Sequence, residues 1–372
     1  MAPIVGVLAL AIACRDAREA GGLLGGVNIY AATGSNALAP EAARARPLVY
    51  VPNSRSRSVS VIDPAKHAVV WTIPTGKIPQ HVVPSWDLRT LWILNNSSNS
   101  VQPVDPVTGR DGPSMRVDDP YNMYFTPDGK AAIVVAEALA RLDFRDPQTM
   151  ALQQSVPVEC RGLDHMEFTA DGKFAIATCE FSGELAKIDL DARKVVGYLG
   201  LDGARGPQHE AMPQDIRSSP NGRVFYVADM TADGVWAIDP IAFRLIGFTS
   251  TGRGTHGLIP SRDGRRLYVT NRGWHTVLGG VRGPGSVTVL DPTNGRVVAT
   301  WPIPDGGSPD MGDVTADGRE LWVSGRYDRE VYVIDTRTGQ LTHRIPVGVE
   351  PHGLCVWPQP GRYSLGHTGN MR

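Results

Sequence analysis

Glu330 to Gly353 reads EVYVIDTRTGQLTHRIPVGVEPHG. Val331-Tyr332-Val333-Ile334 alternates with period two and is closed by Asp335. Thr336 to Gln340 is a polar turn. Leu341 to Val347 is a second strand, and it runs into a Gly-containing loop and Pro351-His352-Gly353. Alternation of this kind marks half-buried strands, and the Thr-Gly pair is hairpin punctuation.

The same phrase recurs along the chain. Its strand-ending Asp appears as Asp63, Asp105, Asp146, Asp189, Asp239, Asp291 and Asp335, spaced by 42, 41, 43, 50, 52 and 44 residues on subtraction. A period of roughly 40–45 residues with four short strands per unit is the signature of propeller blades. Second-strand segments occur seven times: Leu48-Val51, Leu91-Leu94, Ala132-Ala136, Ala175-Cys179, Phe225-Ala228, Leu267-Thr270 and Leu321-Ser324. Turns such as Pro127-Asp128-Gly129 and Pro220-Asn221-Gly222 supply the positive φ that a tight hairpin demands. The expected fold is all-β, a seven-bladed propeller of four-stranded blades. The chain enters at a second strand, Leu48, and finishes on an unpartnered inner strand, His352 to Trp357. That inner strand is expected to join the first three strands and close the ring.

Composition agrees. The chain has 372 residues, and 41 Gly and 29 Pro supply the many turns of an all-β fold. Blades bury their faces only against neighbours, so the repeat overrides a division of this length into several domains. Lys plus Arg number 37 against 38 Asp plus Glu, a net charge of −1. Phosphate neutralisation needs a basic surface, so nucleic acid is not an expected partner.

Ile4 to Ala13 is an apolar run too short to span a membrane, and it ends at Cys14. Ala11-Ile12-Ala13-Cys14 resembles a bacterial lipobox, with Ala11 where Leu is usual and no Lys or Arg ahead of the run. Lipidation at Cys14 and plain secretion both follow from it, and both mean export to the periplasm or cell surface. Any membrane contact would run through that lipid anchor. The expected organisation is a signal segment (1–14), an Ala/Gly-rich flexible tether (15–46), the propeller (47–360) and a tail (361–372) with a mobile Asn370-Met371-Arg372 end.

Leu267-Tyr268-Val269-Thr270-Asn271 carries a literal YVTN signature. With Val287-Thr288-Val289-Leu290-Asp291 and Ile345-Pro346-Val347-Gly348, it resembles the YVTN β-propeller repeat family (YncE-like) over residues 48–357. The resemblance implies seven blades and a place in the bacterial envelope. Propellers of this kind bind cofactors, nucleic acid or partner proteins, or form lactonase or amine-dehydrogenase subunits, and fold does not choose among these.

Ligands of propellers sit where the fourth-to-first-strand and second-to-third-strand loops converge. The fourth-to-first junctions carry His81, Asn122, Asp164-His165, Gln214-Asp215, His256, Asp310 and His352. His81, His165, His256 and His352 are a candidate set for a divalent metal, because a ring fold makes distant imidazoles neighbours. The alternative is that each hydrogen-bonds the next blade's backbone. Two insertions explain the long spacings, Leu201 to Pro213 with His209 and Glu210, and Asn271 to Gly285 with Arg272, Trp274 and His275. Glu137, Glu180 and Arg326 complete the rim. Among the cysteines, Cys160 and Cys179 fall at the same end of one blade, where a disulfide, a free buried thiol at Cys179 or a thiol near His165 are open alternatives. No GxSxG, HExxH, Walker or CxxC motif is present. The expected function is therefore an exported monomer that binds a protein partner or small ligand at the channel mouth. The alternative is an enzyme or oxidoreductase accessory subunit using the His/Asp/Glu-lined face.

Overall fold

The structure, a computed structural model, describes residues 27–372 other than 207, 276–279 and 282, and omits the side chains of Trp274, His275 and Val281. The expected signal segment with Cys14 lies outside the described residues. Among those described, no helix is long and apolar enough to cross a membrane.

Seven antiparallel sheets follow one another along the chain. Blade 4 is typical: Leu163–Phe168 innermost, then Phe174–Cys179, Glu184–Asp189 and Lys194–Gly200. The inner strand is buried throughout, while the outer one alternates exposed and half-buried, because only one of its faces meets a neighbouring blade. Blade 2 departs from this pattern. Its outer strand is reduced to Arg110–Asp111 and Met115–Arg116.

The repeated Asp has a structural duty. The carboxylates of Asp63, Asp105, Asp146, Asp239, Asp291 and Asp335 each accept the amide N–H two residues on, at 2.8–3.1 Å. Each closes the turn into the outer strand as an Asx turn. The first-to-second turns use a second device. Thr126, Thr169, Ser219, Ser261 and Thr315 donate to the Asx side chain two residues on, at 2.6–2.9 Å. The following Gly takes φ between +66° and +79°.

The ring closes as expected. Leu48, Val49 and Tyr50 pair with Trp357, Val356 and Cys355, so Cys355–Trp357 is the innermost strand of blade 1. Two expectations about the flanks are corrected. Residues 27–46, expected as part of a flexible tether, form a strap beneath the turns. Ile29 donates its N–H to Pro220 O (2.9 Å), Tyr30 its hydroxyl to Ser218 O (3.0 Å), and Asn36 its N–H to Ala316 O (2.8 Å).

The tail Gly361–Arg372, expected to be mobile at its end, is largely buried, with Arg362 exposed. Arg372 Nη2 donates to Glu167 Oε1 at 2.7 Å, Asn370 Nδ2 to the same oxygen at 3.1 Å, and Leu365 joins the core between blades 3 and 4. His367 N–H donates to Met123 O at 2.8 Å. Gly366 lies against the Met123–Tyr124 backbone at φ +97°, where a Cβ would collide. Composition alone hides this, because the forces that order the segment are tertiary: a buried carboxylate needs a cation and the bottom of the channel needs filling.

Candidate functional site

Each inner strand opens with a bulge, two residues facing one on the next strand. Pro79 and Val82 pair with Asn95 and Ile93, and the same step recurs at Leu163–Met166, Pro213–Ile216, Thr255–Leu258 and Pro309–Gly312. The junction residues therefore fall into two tiers. The first holds Gln80, Asp164, Gln214, His256 and Asp310, and the second His81, His165, Asp215, Gly257 and Met311. Blade 3 adds Tyr121 and Asn122. In blade 1, Pro351 bridges Asn53, so His352 is first-tier and Gly353 second.

This register divides the expected metal set. His81 and His165 meet a third ring that the sequence reading left without a role, His367 from the tail. Ring centroids lie 5.7 Å (His81–His165), 5.3 Å (His81–His367) and 4.8 Å (His165–His367) apart. Three imidazoles bound tetrahedrally at about 2.0–2.1 Å place their centroids roughly 5 Å apart. One ring nitrogen from each lies within 4.8 Å of the others, and all three residues are buried. Gly353 makes room, since a Cβ there would strike the His81 ring.

The Nε2 atoms of all three rings are buried without a hydrogen-bond partner. Their Nδ1 atoms are engaged. His81 Nδ1–H donates to Tyr121 O at 2.9 Å, which leaves the lone pair of that ring on Nε2. Asn122 Oδ1 accepts the Met123 N–H at 2.9 Å, so Asn122 Nδ2 faces His165 Nδ1 at 3.1 Å and His367 Nδ1 at 3.3 Å. A donor there selects the Nε2–H form of both rings. An ion held on three Nε2 atoms would shift those two protons to Nδ1 and turn the Asn122 amide to accept them. Carboxyl groups approach the same nitrogens: Asp164 Oδ1 lies 3.1 Å from His165 Nε2, and Asp215 Oδ1 3.7 Å from His367 Nε2.

Burial pushes the His81 imidazole down to about 4, and it pushes His165 and His367 well below the ordinary range, with neighbouring cationic groups adding to the effect. The rings stay neutral at physiological pH, the form that binds metal.

His256 and His352 are held by Asp310, although the His352 ring lies 4.9 Å from that of His81. Asp310 Oδ2 accepts from His352 Nδ1 at 2.6 Å, and Oδ1 lies 2.9 Å from His256 Nδ1. Arg272 donates Nε and Nη2 to Asp310 Oδ1 at 2.8 and 2.6 Å and reaches His256 Nε2 at 2.7 Å. Burial opposes the Asp310 charge, yet Arg272, His256 and His352 outweigh it and hold the carboxyl well below its usual value. His256 thus sits in a buried ion-pair network, flanked by Asp310 at Nδ1 and Arg272 at Nε2.

The rim of blades 3 and 4 is acidic. Burial, then Glu180 and Glu137, drives the Asp164 carboxyl well above its usual range, and burial with Glu180 pushes Glu137 up to about 7. Asp215 accepts from Arg217 at 2.9 Å and from Leu258 N at 2.9 Å. His209 lies off the axis, edge-on to Trp236 at 6.0 Å, and the carbonyl of Glu210 accepts from Thr231 Oγ1. Trp274 and His275 pair with Val281 and Gly280 in a small hairpin, their side chains outside those described. Arg326 stands 3.9 Å from Asp310. Cys160 and Cys179 form a disulfide, and Cys355 is a buried free thiol.

Known structures of similar shape span different chemistries. Hydrazine synthase of Kuenenia stuttgartiensis matches with a TM-score of 0.61 at 21% identity over 73% of this chain and 87% of that one. A dihydro-heme d1 dehydrogenase solved in complex with DHE matches at 0.61 and 15% over 83% and 75%. A putative 6-phosphogluconolactonase of Bacteroides uniformis matches at 0.64 and 18% over 83% and 98%. At these identities the likeness is one of fold. No curated protein sequence matches the chain. The YNCE-like beta-propeller family matches residues 7–361, and with seven blades closed by Cys355–Trp357 the chain belongs to that family.

Proposed function

We propose that this propeller is an exported metal-binding protein that holds one transition-metal ion on its axis through His81, His165 and His367. The observation that carries the reading is the convergence of three buried imidazoles, each with an unpartnered Nε2. Leaving such atoms dry is costly, and one borderline ion such as Zn(II) or Cu(II) satisfies all three. Asp164 and Asp215 lie near the Nε2 atoms of His165 and His367, where an ion would draw them toward the charged form. The ligand atoms lie within 4.8 Å of one another, close enough for a single ion. Export is supported by the apolar run before Cys14 and by the Cys160–Cys179 disulfide, a bond kept in oxidising compartments.

The test is a titration of chelator-stripped, full-length protein with Zn(II). One equivalent is expected to bind, with affinity at least about ten-fold lower in His81→Ala and in His367→Ala. Binding of the wild type no tighter than that of a His81→Ala/His165→Ala/His367→Ala variant would overturn the reading.

A further inference from the structure

The loop face sinks into a cavity of about 640 Å³ over blades 7, 1 and 2. Its walls carry Arg55 and Arg57 from blade 1, Lys77 from the loop entering blade 2, and Arg326 from blade 7; Glu350 is the one acid lining it. Four cations against one carboxylate is a strong local excess on a chain of net charge −1. Only Arg55 is closely paired, to Glu350 at 2.5 Å. Among the described residues no ion pair engages the Arg57 or Lys77 side chain. Arg326 is the telling group. Its Nε and Nη1 are buried without hydrogen-bond partners, and its nearest carboxylates, Asp310 and Glu350, stand 3.9 and 4.0 Å away. The guanidinium thus has no close carboxylate partner, and its Nη2, 4.0 Å from Glu350 and outside the buried pair of nitrogens, is the edge that an oxyanion in the cavity would meet.

We infer that this cavity binds a small organic or inorganic anion whose carboxylate or phosphate group seats on Arg326, with Arg57 and Lys77 completing the charge. The volume falls within the range of small-molecule sites. Gln80, which precedes His81 on the inner strand of blade 2, also lines the cavity. The inference does not depend on whether an ion occupies the three histidines, since it rests on a different set of residues.

Calorimetry on metal-stripped, full-length protein at low ionic strength tests it, with inorganic phosphate and citrate as separate probes. At least one probe is expected to saturate a single site, to weaken about ten-fold or more in Arg326→Gln, and to weaken again as salt is raised. The arm that binds more tightly distinguishes phosphate from carboxylate chemistry. Arg57→Gln/Lys77→Gln, which alters only exposed side chains, tests the same site without touching the interior. Arg265→Gln, in a first-to-second-strand turn, should leave binding unchanged. Absence of saturable binding to the wild type, or binding unaltered in both Arg326→Gln and Arg57→Gln/Lys77→Gln, would overturn the inference. Neither result bears on Zn(II) uptake.

Discussion

The imidazole of His367 packs 4.8 Å, centroid to centroid, from that of His165. One comes from the final segment threaded up the channel and the other from the inner strand of blade 4. Two parts of the chain that share no local structure thus supply two of the three rings of the candidate centre.

Removing the tail should therefore have two separable effects. A chain ended at Pro360 loses the burial of Leu365 and Met371 and strips Glu167 of Arg372 and Asn370. A loss on the order of 5 kcal/mol is expected, read as a lower urea midpoint. His367→Ala should keep most of that stability and lose only the rise in melting temperature that Zn(II) gives the wild type. Equal Zn(II) stabilisation of wild type and His367→Ala would contradict the arrangement.

Much of this architecture was legible in the sequence. The Asp63-to-Asp335 repeat gave the blades because each Asp closes a turn by a local hydrogen bond, and local chemistry leaves a local trace. Ring closure followed from counting strands between Leu48 and Trp357. The site was half legible. His81 and His165 were marked by their junctions, but the bulge that separates the tiers is set by strand pairing. The prolines were an unused ruler, since Pro79-Gln80-His81 and Pro351-His352-Gly353 put their histidines at different distances from the same register point. His367 was missed because GRYSLGHTGNMR has no alternation, and its order depends on Glu167 and Met123, hundreds of residues away.

Asn122 offers a sharper test of the proton arrangement. Its amide donates toward Nδ1 of both His165 and His367. Asn122→Asp supplies acceptors instead, favouring Nδ1–H and freeing Nε2 for an ion, and adds a negative charge. Zn(II) affinity should rise by about ten-fold or more. Unchanged or weaker binding in a folded Asn122→Asp variant would show that the ring tautomers are not as assigned.

Metal-stripped protein should lose stability toward both ends of the pH scale. The Glu137 carboxyl, about 7 when folded against an ordinary 4.5, binds its proton more tightly in the native state. Its contribution is whole below about 4.5 and lost as pH rises through about 7. The His81 imidazole, about 4 against 6.5, behaves oppositely. The unfolded chain takes up that proton first, so stability falls as pH drops from about 6.5 toward about 4. Glu137→Gln should flatten the alkaline limb of the urea midpoint between about pH 5 and about pH 8; a limb as steep as wild type would show that Glu137 does not cause it.

The Cys160–Cys179 bridge closes a loop of sequence separation 19 beside His165. Cys160→Ala/Cys179→Ala should cost about 3 kcal/mol in urea unfolding. Because the bridge lies outside the three-ring contact, Zn(II) stoichiometry should stay at one. Loss of stoichiometric metal in the folded double variant would place the disulfide within the centre.

The most direct measurement is an anomalous difference map from crystals of the full-length protein grown with Zn(II) and collected at the zinc edge. A single strong axial peak is expected within about 2.0–2.2 Å of one ring nitrogen each of His81, His165 and His367, with Asn122 turned to accept from their neighbours. A map with no peak among those rings, or with its strong peak elsewhere, would contradict the account.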